Sequence, residues 1–411
     1  MGERSADGTR RRRAAVVMAE WGAHSGEVPS AVRAVAGALA LSHDVAVVSL
    51  DDRGDLRSLP PRLSEDGIFP VHSVAAAACE ARLPAILTTA LALGAVRGSR
   101  RAGTLPDLAT RRLIGIQSRH SPEALERLDT LAPEVVVLAG VESLWIAEAL
   151  PVGPDRPRVV ALPLLGTDER LASDAMATLA EVADAIGAVS PAEERLLRES
   201  AGRRDPTVVK RLHVAFPVNG QASHSRLAGI ASFGRYLLVI SGWPEGDPSA
   251  VAGMPHDYLR SVLGPVSVAE VRKGRWLVSE EGRHFEVPWA PSRMNLWRLM
   301  AGAVATVDLR RQGPVGREAV ESLAFGTPVV VPAGSVAAEL AAASNGGLWY
   351  EAPGELLDQA GWLLAHEAER LAMGRAGREL VVREHGDTDR FVHECEELAG
   401  AVSPAQGTGE R

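Results

Sequence analysis

Lysine is almost missing from this 411-residue chain: it occurs only as Lys210 and Lys273, and arginine supplies nearly all of the positive charge. The balance is nevertheless acidic, with a formal net charge of −8 at pH 7. That argues against a general nucleic-acid binder, whose footprint is a basic face. Cysteine is also scarce. Cys79 and Cys395 are too few and too far apart in sequence for a disulfide framework or a cysteine-based metal site, so a reducing cytoplasm is the expected compartment. No secretory signal is visible, because the basic cluster Arg10–Arg13 is followed by an apolar run, Ala14–Ala19, too short for a signal core. The longest apolar run, Ala85–Val96, falls short of the roughly 20 residues needed to span a bilayer. With Arg97, Arg100 and Arg101 beside it, that run reads either as a buried helix with a basic end or as a peripheral membrane contact. There is no H-E-x-x-H, no C-x-x-C and no G-x-x-x-x-G-K-S/T loop, which removes zinc proteases, dithiol redox proteins and P-loop ATPases. No D-x-D cluster stands in strand context either, so neither a metal nor a cofactor is expected.

What is present is the composition of a globular protein, 46% hydrophobic and 23% charged, in a chain long enough for two domains. Strand and helix patterns alternate. Ala14–Met18 reads as a buried strand, Glu20–Pro29 as a loop holding Gly22 and Gly26, Ser30–Leu41 as an amphipathic helix and Val45–Leu50 as a second strand. That order makes a mononucleotide-binding βαβ unit. Val135–Leu138, Val159–Pro163 and Ile186–Val189 continue the strands. Ser190-Pro191-Ala192-Glu193 then reads as a capping-box helix start. Residues 75–81 and 85–96 read as helices in a less patterned region between Asp51 and Arg119.

The densest signal lies at Arg310–Pro332, RRQGPVGREAVESLAFGTPVVVP. A loop with glycines at 313 and 316 runs into a short helical pattern, Glu318–Ala324, which stops at Gly326. The buried strand Val329–Val331 follows. The helix N-terminus points N–H groups and a partial positive charge at the loop, a natural seat for a diphosphate. Glu321, one turn into the helix, has the reach to accept hydrogen bonds from two neighbouring hydroxyls. Without a ligand it would be an acidic residue favoured by the helix dipole. Arg310, Arg311 and Arg317 would neutralise a diphosphate or serve as surface charge.

The run ESLAFGTPVVVP resembles the C-terminal signature of family-4-type glycosyltransferases of the GT-B fold, usually E-A-x-A-x-G-x-P-V-V. The first βαβ unit, the Ser190 turn with Arg195, and Pro217-Val218-Asn219 are similar to that family's opening, V-S-x-x-x-R turn and hinge segment. The resemblance implies an α/β protein of GT-B fold, two Rossmann-like parallel-sheet domains facing across a cleft. Residues 14–220 would form the acceptor domain, 221–234 a linker, 235–386 the nucleotide-sugar donor domain, and 387–400 a helix crossing back to the first domain. Residues 1–13 and 401–411 would be tails. It further implies a hexosyltransferase-type glycosyltransferase that moves a sugar, with retention, from a nucleotide-sugar donor to an unknown acceptor. Gly242, Val315, Gly316, Arg317 and Glu321 would bind the donor. The loop with His24 and Gly26 would face the acceptor.

Three departures from the family's pattern motivate an alternative, a catalytically degenerate GT-B protein acting as a partner or regulatory subunit. Gly313 stands where the family has its first Glu. Trp243-Pro244-Glu245-Gly246-Asp247 follows Gly242 where an Arg and a Lys would clamp the diphosphate. Ala139-Gly140-Val141-Glu142 replaces a histidine turn. Charge developing on a leaving phosphate needs positive charge beside it, and two acidic residues oppose it. The catalytic residues are therefore left unassigned.

Overall fold

The computed structural model describes residues 11–18, 27–50, 63–64, 67–68, 71–73, 123–150, 153, 156–167, 169, 172, 175–176, 179, 182–201, 209–216, 236–240, 267–272, 275–280, 283–287, 293–309 and 316–400. The chain forms two compact units, Met1–Val214 with Thr388–Arg411, and Ala215–Asp387. The boundary thus falls between Val214 and Ala215, ahead of the expected one at residue 220. The expected linker, 221–234, and the helices expected at 75–81 and 85–96 lie outside the described residues.

The first unit is built on β1 (Arg12–Met18), β2 (His43–Ser49), β5 (Val71–Ser73), β6 (Val135–Ala139), β7 (Arg158–Leu162), β8 (Ala185–Ala188) and β9 (Val209–Arg211). Their order is β5-β2-β1-β6-β7-β8-β9, and every pairing is parallel. A separate two-stranded piece, β3 (Leu63–Ser64) with β4 (Gly67–Ile68), lies between β2 and β5 in sequence. Parallel strands are covered on both faces and so need unbroken apolar sequence. Val16, Val17, Val136, Leu138, Val159 and Ala161 are buried accordingly. The strand direction reverses its march across the sheet between β1 and β6, the switch point where doubly wound sheets take ligands.

The tail expected at residues 1–13 overlaps β1, which begins at Arg12. The parallel ladder runs on through Arg12 and Arg13, opposite His43 and Asp44. Arg12 gains partners there: its Nε lies 3.4 Å from Glu134 Oε2, and its terminal amino group donates to the Gly400 carbonyl at 3.2 Å. Three helices of this unit are α1 (Glu27–Leu39), α2 (Glu123–Leu131) and α3 (Trp145–Ala149), and α4 (Pro191–Ala201) follows β8.

The second unit has β10 (Tyr236–Ile240), β11 (Ser267–Arg272), β12 (Arg275–Glu280), β13 (Arg283–Val287), β14 (Ala305–Asp308), β15 (Val329–Pro332) and β16 (Gly347–Tyr350). Their order is β13-β12-β11-β10-β14-β15-β16. From β11 through β16 the pairings are parallel, but β11-β12-β13 are antiparallel neighbours at one edge. Between them run α5 (Arg293–Gly302), α6 (Arg317–Ala324) and α7 (Val336–Ser344), and α8 (Pro353–Ala365) and α9 (Glu367–His385) follow β16. Val239, Val304, Val307, Val330, Leu356 and Leu363 make much of the core of this unit. The march reverses again, between β10 and β14, and α6 follows β14 directly.

The last helix, α10 (Thr388–Leu398), belongs to the first unit. Cys395 and Leu398 pack with Val35 and Leu39 of α1 and with Val137, Val160 and Leu162 of the sheet. Its C-terminal carbonyls are met by cations: Arg158 Nε donates to Leu398 O at 2.8 Å, the sign a helix C-terminus favours. Glu394 accepts from the His213 backbone N–H at 2.7 Å and from Arg390 Nε at 2.9 Å. Among the described residues no helix is long and apolar enough to cross a membrane.

Candidate functional site

Glu321 is held by α6. This helix starts at Gly316, whose φ of +61° suits a glycine, and no side chain among the described residues caps it. A methyl on Gly316 would press to 3.3 Å from Ala337 Cβ, so the loop enters the helix tight against the start of α7. The far end of α6 is locked by the rest of the signature. Ser322 Oγ donates to Thr306 Oγ1 of β14 at 2.7 Å and lies 3.0 Å from Thr327 O, while Thr327 Oγ1 donates to Met300 O at 2.7 Å. Gly326 takes φ +75° to turn the chain into β15. The A-F-G-T-P part of the run is therefore scaffolding. It pins α6 so that its N-terminus stands at the carboxyl end of β14, beside the switch point between β10 and β14.

On that scaffold Glu321 is 1% exposed and Glu318 7%, and Asp308, which ends β14, is 2% exposed. Three buried carboxylates on one strand end and the helix that follows it are unusual in a core. Arg317 Nε donates to Glu321 Oε1 at 2.8 Å, and the arginine side chain is 12% exposed. Its guanidinium carbon lies 5.4 Å from the centre of the Phe216 ring, within cation–π range. The structure thus brings Gly316, Arg317 and Glu321 together. Arg317, read from the sequence as a phosphate ligand, holds the carboxylate read as a ribose ligand. Gly242, Val315, Gly313, Trp243, Arg310 and Arg311, and on the other side His24 and Gly26, lie outside the described residues. Phe216 and Asp308 escaped the sequence reading. Asp308 had a signal, an acid closing an apolar strand run; Phe216 had none.

In the first unit, Ala139 closes β6, and Gly140 at φ +81° leads into a turn of 3-10 helix, Val141–Ser143. Ser143 Oγ donates back to Gly140 O at 2.9 Å and lies 3.1 Å from Ala139 O, which holds the turn onto the end of β6. Glu193 is fully buried. Its carboxylate accepts from the N–H groups of Leu165 and Val189, each at 2.8 Å, and Ser190 Oγ accepts from Glu193 N at 3.1 Å. Burial raises the Glu193 carboxyl to about 7, against the pull of those backbone donors and the charge of Arg211. It ties the loops after β7 and β8 together. Among the described residues no cluster of His, Cys, Asp and Glu is arranged to hold a metal.

A family model described as glycosyl transferase-like matches residues 261–394, which include α6 and the Glu321 run. No curated protein sequence matches the chain. Among solved structures, sucrose-phosphate synthase from Thermosynechococcus elongatus is similar at a TM-score of 0.65 and 15% identity, over 95% of this chain and 99% of that one. HepE from Anabaena in complex with UDP and glucose is similar at a TM-score of 0.60 and 13% identity, over 95% of this chain and all of that one. α,α-Trehalose 6-phosphate synthase from Burkholderia multivorans gives 0.61 and 14%, over 96% of this chain and all of that one. At such identities the likeness establishes architecture: this is an α/β protein of GT-B fold, with a largely parallel sheet in each of its two units.

Proposed function

We propose that this protein is a glycosyltransferase of the family-4 kind that takes a sugar from a nucleotide-sugar donor and passes it, with retention, to an acceptor. The observation that carries the reading is the start of α6 at the carboxyl end of β14, without a side-chain cap among the described residues, with Glu321 buried one turn in. A diphosphate suits the positive helix end, and a carboxylate suits the vicinal diol of a ribose. The family match over residues 261–394 supports this reading. So does the likeness to HepE, which has been seen with UDP and with UDP-glucose. In this reading Gly242, Val315 and Gly316 receive phosphates and sugar, the His24–Gly26 loop takes the acceptor, and the reaction needs no metal and runs in the cytoplasm.

The second reading, a catalytically degenerate GT-B protein acting as a partner or regulatory subunit, draws on the Arg317–Glu321 bond together with Gly313 and Trp243. An ion pair already closed on the ribose-binding carboxylate is what a retired donor site would keep for structure.

Thermal unfolding with a panel of nucleoside diphosphates and nucleotide sugars separates the two. A ligand at 100 times its dissociation constant adds about 2.7 kcal/mol of stability. The transferase reading expects one base to raise the midpoint and Glu321→Ala to abolish the rise. A panel without effect on the well-folded protein would refute it.

A further inference from the structure

The chain enters the second unit at Ala215, and the next residue, Phe216, is 3% exposed. Its backbone N–H donates to His385 O at 3.2 Å, and its ring centre lies 6.1 Å from that of the His385 imidazole. His385, the last residue of α9, is itself 6% exposed. Phe216 is therefore fixed at backbone and ring by the end of a long helix. Onto this fixed ring comes the Arg317 guanidinium, 5.4 Å from the ring centre, and its Nε donates to Glu321 Oε1 at 2.8 Å.

An arginine has several soft torsions, and an ion pair to a residue four positions along its own helix does not by itself select one of them. A flat aromatic face does. It restricts the guanidinium to planes that lie on the ring, and an Nε–H held in such a plane aims at a single place. We propose that Phe216 is a positioning residue for the donor site: its ring sets the plane of Arg317, and Arg317 in turn sets the side-chain rotamer of Glu321. This rests on the donor-site reading above. Phe216 need touch no part of the donor. It acts by sparing the site the ordering of two charged side chains when a nucleotide sugar arrives.

The test reads the arginine directly. The Nε–H resonance of Arg317, identified by its loss in Arg317→Lys, should lie upfield in the unliganded protein because of the ring current, and should exchange slowly with water. Phe216→Leu keeps apolar bulk without a π face; it should move the resonance downfield and quicken its exchange, while Phe216→Trp should preserve both. Titration with UDP should show about a tenfold loss of affinity in Phe216→Leu, with little change in Phe216→Trp. An Arg317 resonance that is unshifted in the unaltered protein overturns the proposal without any variant, as does one indifferent to Phe216→Leu. If the resonance responds as expected and no nucleoside diphosphate binds the unaltered protein, the donor-site reading falls by itself and the Phe216–Arg317–Glu321 relay stands.

Discussion

Replacing Gly374 by alanine tests the placement of α6 more severely than any change within α6 itself. Gly374 lies in α9, where it backs onto the Gly326 turn that ends α6. A methyl built there would overlap the Gly326 carbonyl oxygen and come within 2.8 Å of its carbon. Ordinary carbon contacts begin near 3.5 Å, so α9 and the turn would have to part by roughly 1 Å. The neighbours leave no slack. A methyl on Gly377, one helical turn on, would stand 2.6 Å from Leu323 Cδ2 and 3.1 Å from Gly346 Cα. Overpacking of this kind, against backbone instead of a side-chain tip, costs about 3 kcal/mol. For a unit of this size that is about 6–12 °C in midpoint. Gly326→Ala makes the control. Its nearest neighbour, Gly374 O, would be 3.8 Å away, so only the strain of φ +75° is charged, about 1–2 kcal/mol. Differential scanning fluorimetry of the two variants should rank Gly374→Ala well below Gly326→Ala. A Gly374→Ala midpoint within about 1 °C of the unaltered protein would refute the close approach of α9 to α6, and with it the scaffolding role given to the A-F-G-T-P run.

Three further outcomes follow. Because burial lifts the Glu193 carboxyl from 4.5 to about 7, the stability tied to its proton is complete below about pH 4.5 and is lost as pH rises through 7. Melting from about pH 5 to 8 should show that decline, and Glu193→Gln, lower at the outset for want of one acceptor, should flatten it; an unchanged slope would count against the buried acid as its source. Ser335 caps α7 by accepting from Ala338 N at 3.1 Å, so Ser335→Ala should cost about 1 kcal/mol, read as a midpoint shift that Ser335→Asp largely restores. Ser322→Ala strands the Thr306 hydroxyl in the core and should cost about 1–3 kcal/mol. A double-mutant cycle with Thr306→Val should then recover part of that loss, and strict additivity would contradict the bond.

The parts of the fold that showed in the sequence are those where one physical demand acts alone. Val135–Ala139 and Val329–Pro332 are buried on both faces, and nothing but apolar residues fits. α6 announced its limits through Gly316 and Gly326. By contrast, α7 reads VAAELAAAS; with a methyl at nearly every position there is no contrast between faces, so periodicity is silent. The strands β11 and β13, which pair antiparallel with β12 on either side of it, escaped the sequence reading. Their arginines and glutamates disguised strands that sit at the rim of a sheet. Within the site, the Glu321 run was legible because it is local. Phe216 was not, since its partners Arg317 and His385 come to it only through the fold.

The return of α10 to the first unit has a consequence for how the protein comes into being. The second unit is one continuous stretch, Ala215–Asp387, complete as soon as its own last helix has been synthesised. The first unit is not. Its sheet emerges earliest, yet Leu39, Val160 and Leu162 wait for Cys395 and Leu398 to cover them. On a ribosome working from the N-terminus, the half made first should therefore be the half finished last. Until those final residues leave the exit tunnel, it presents an open apolar seam that invites a chaperone.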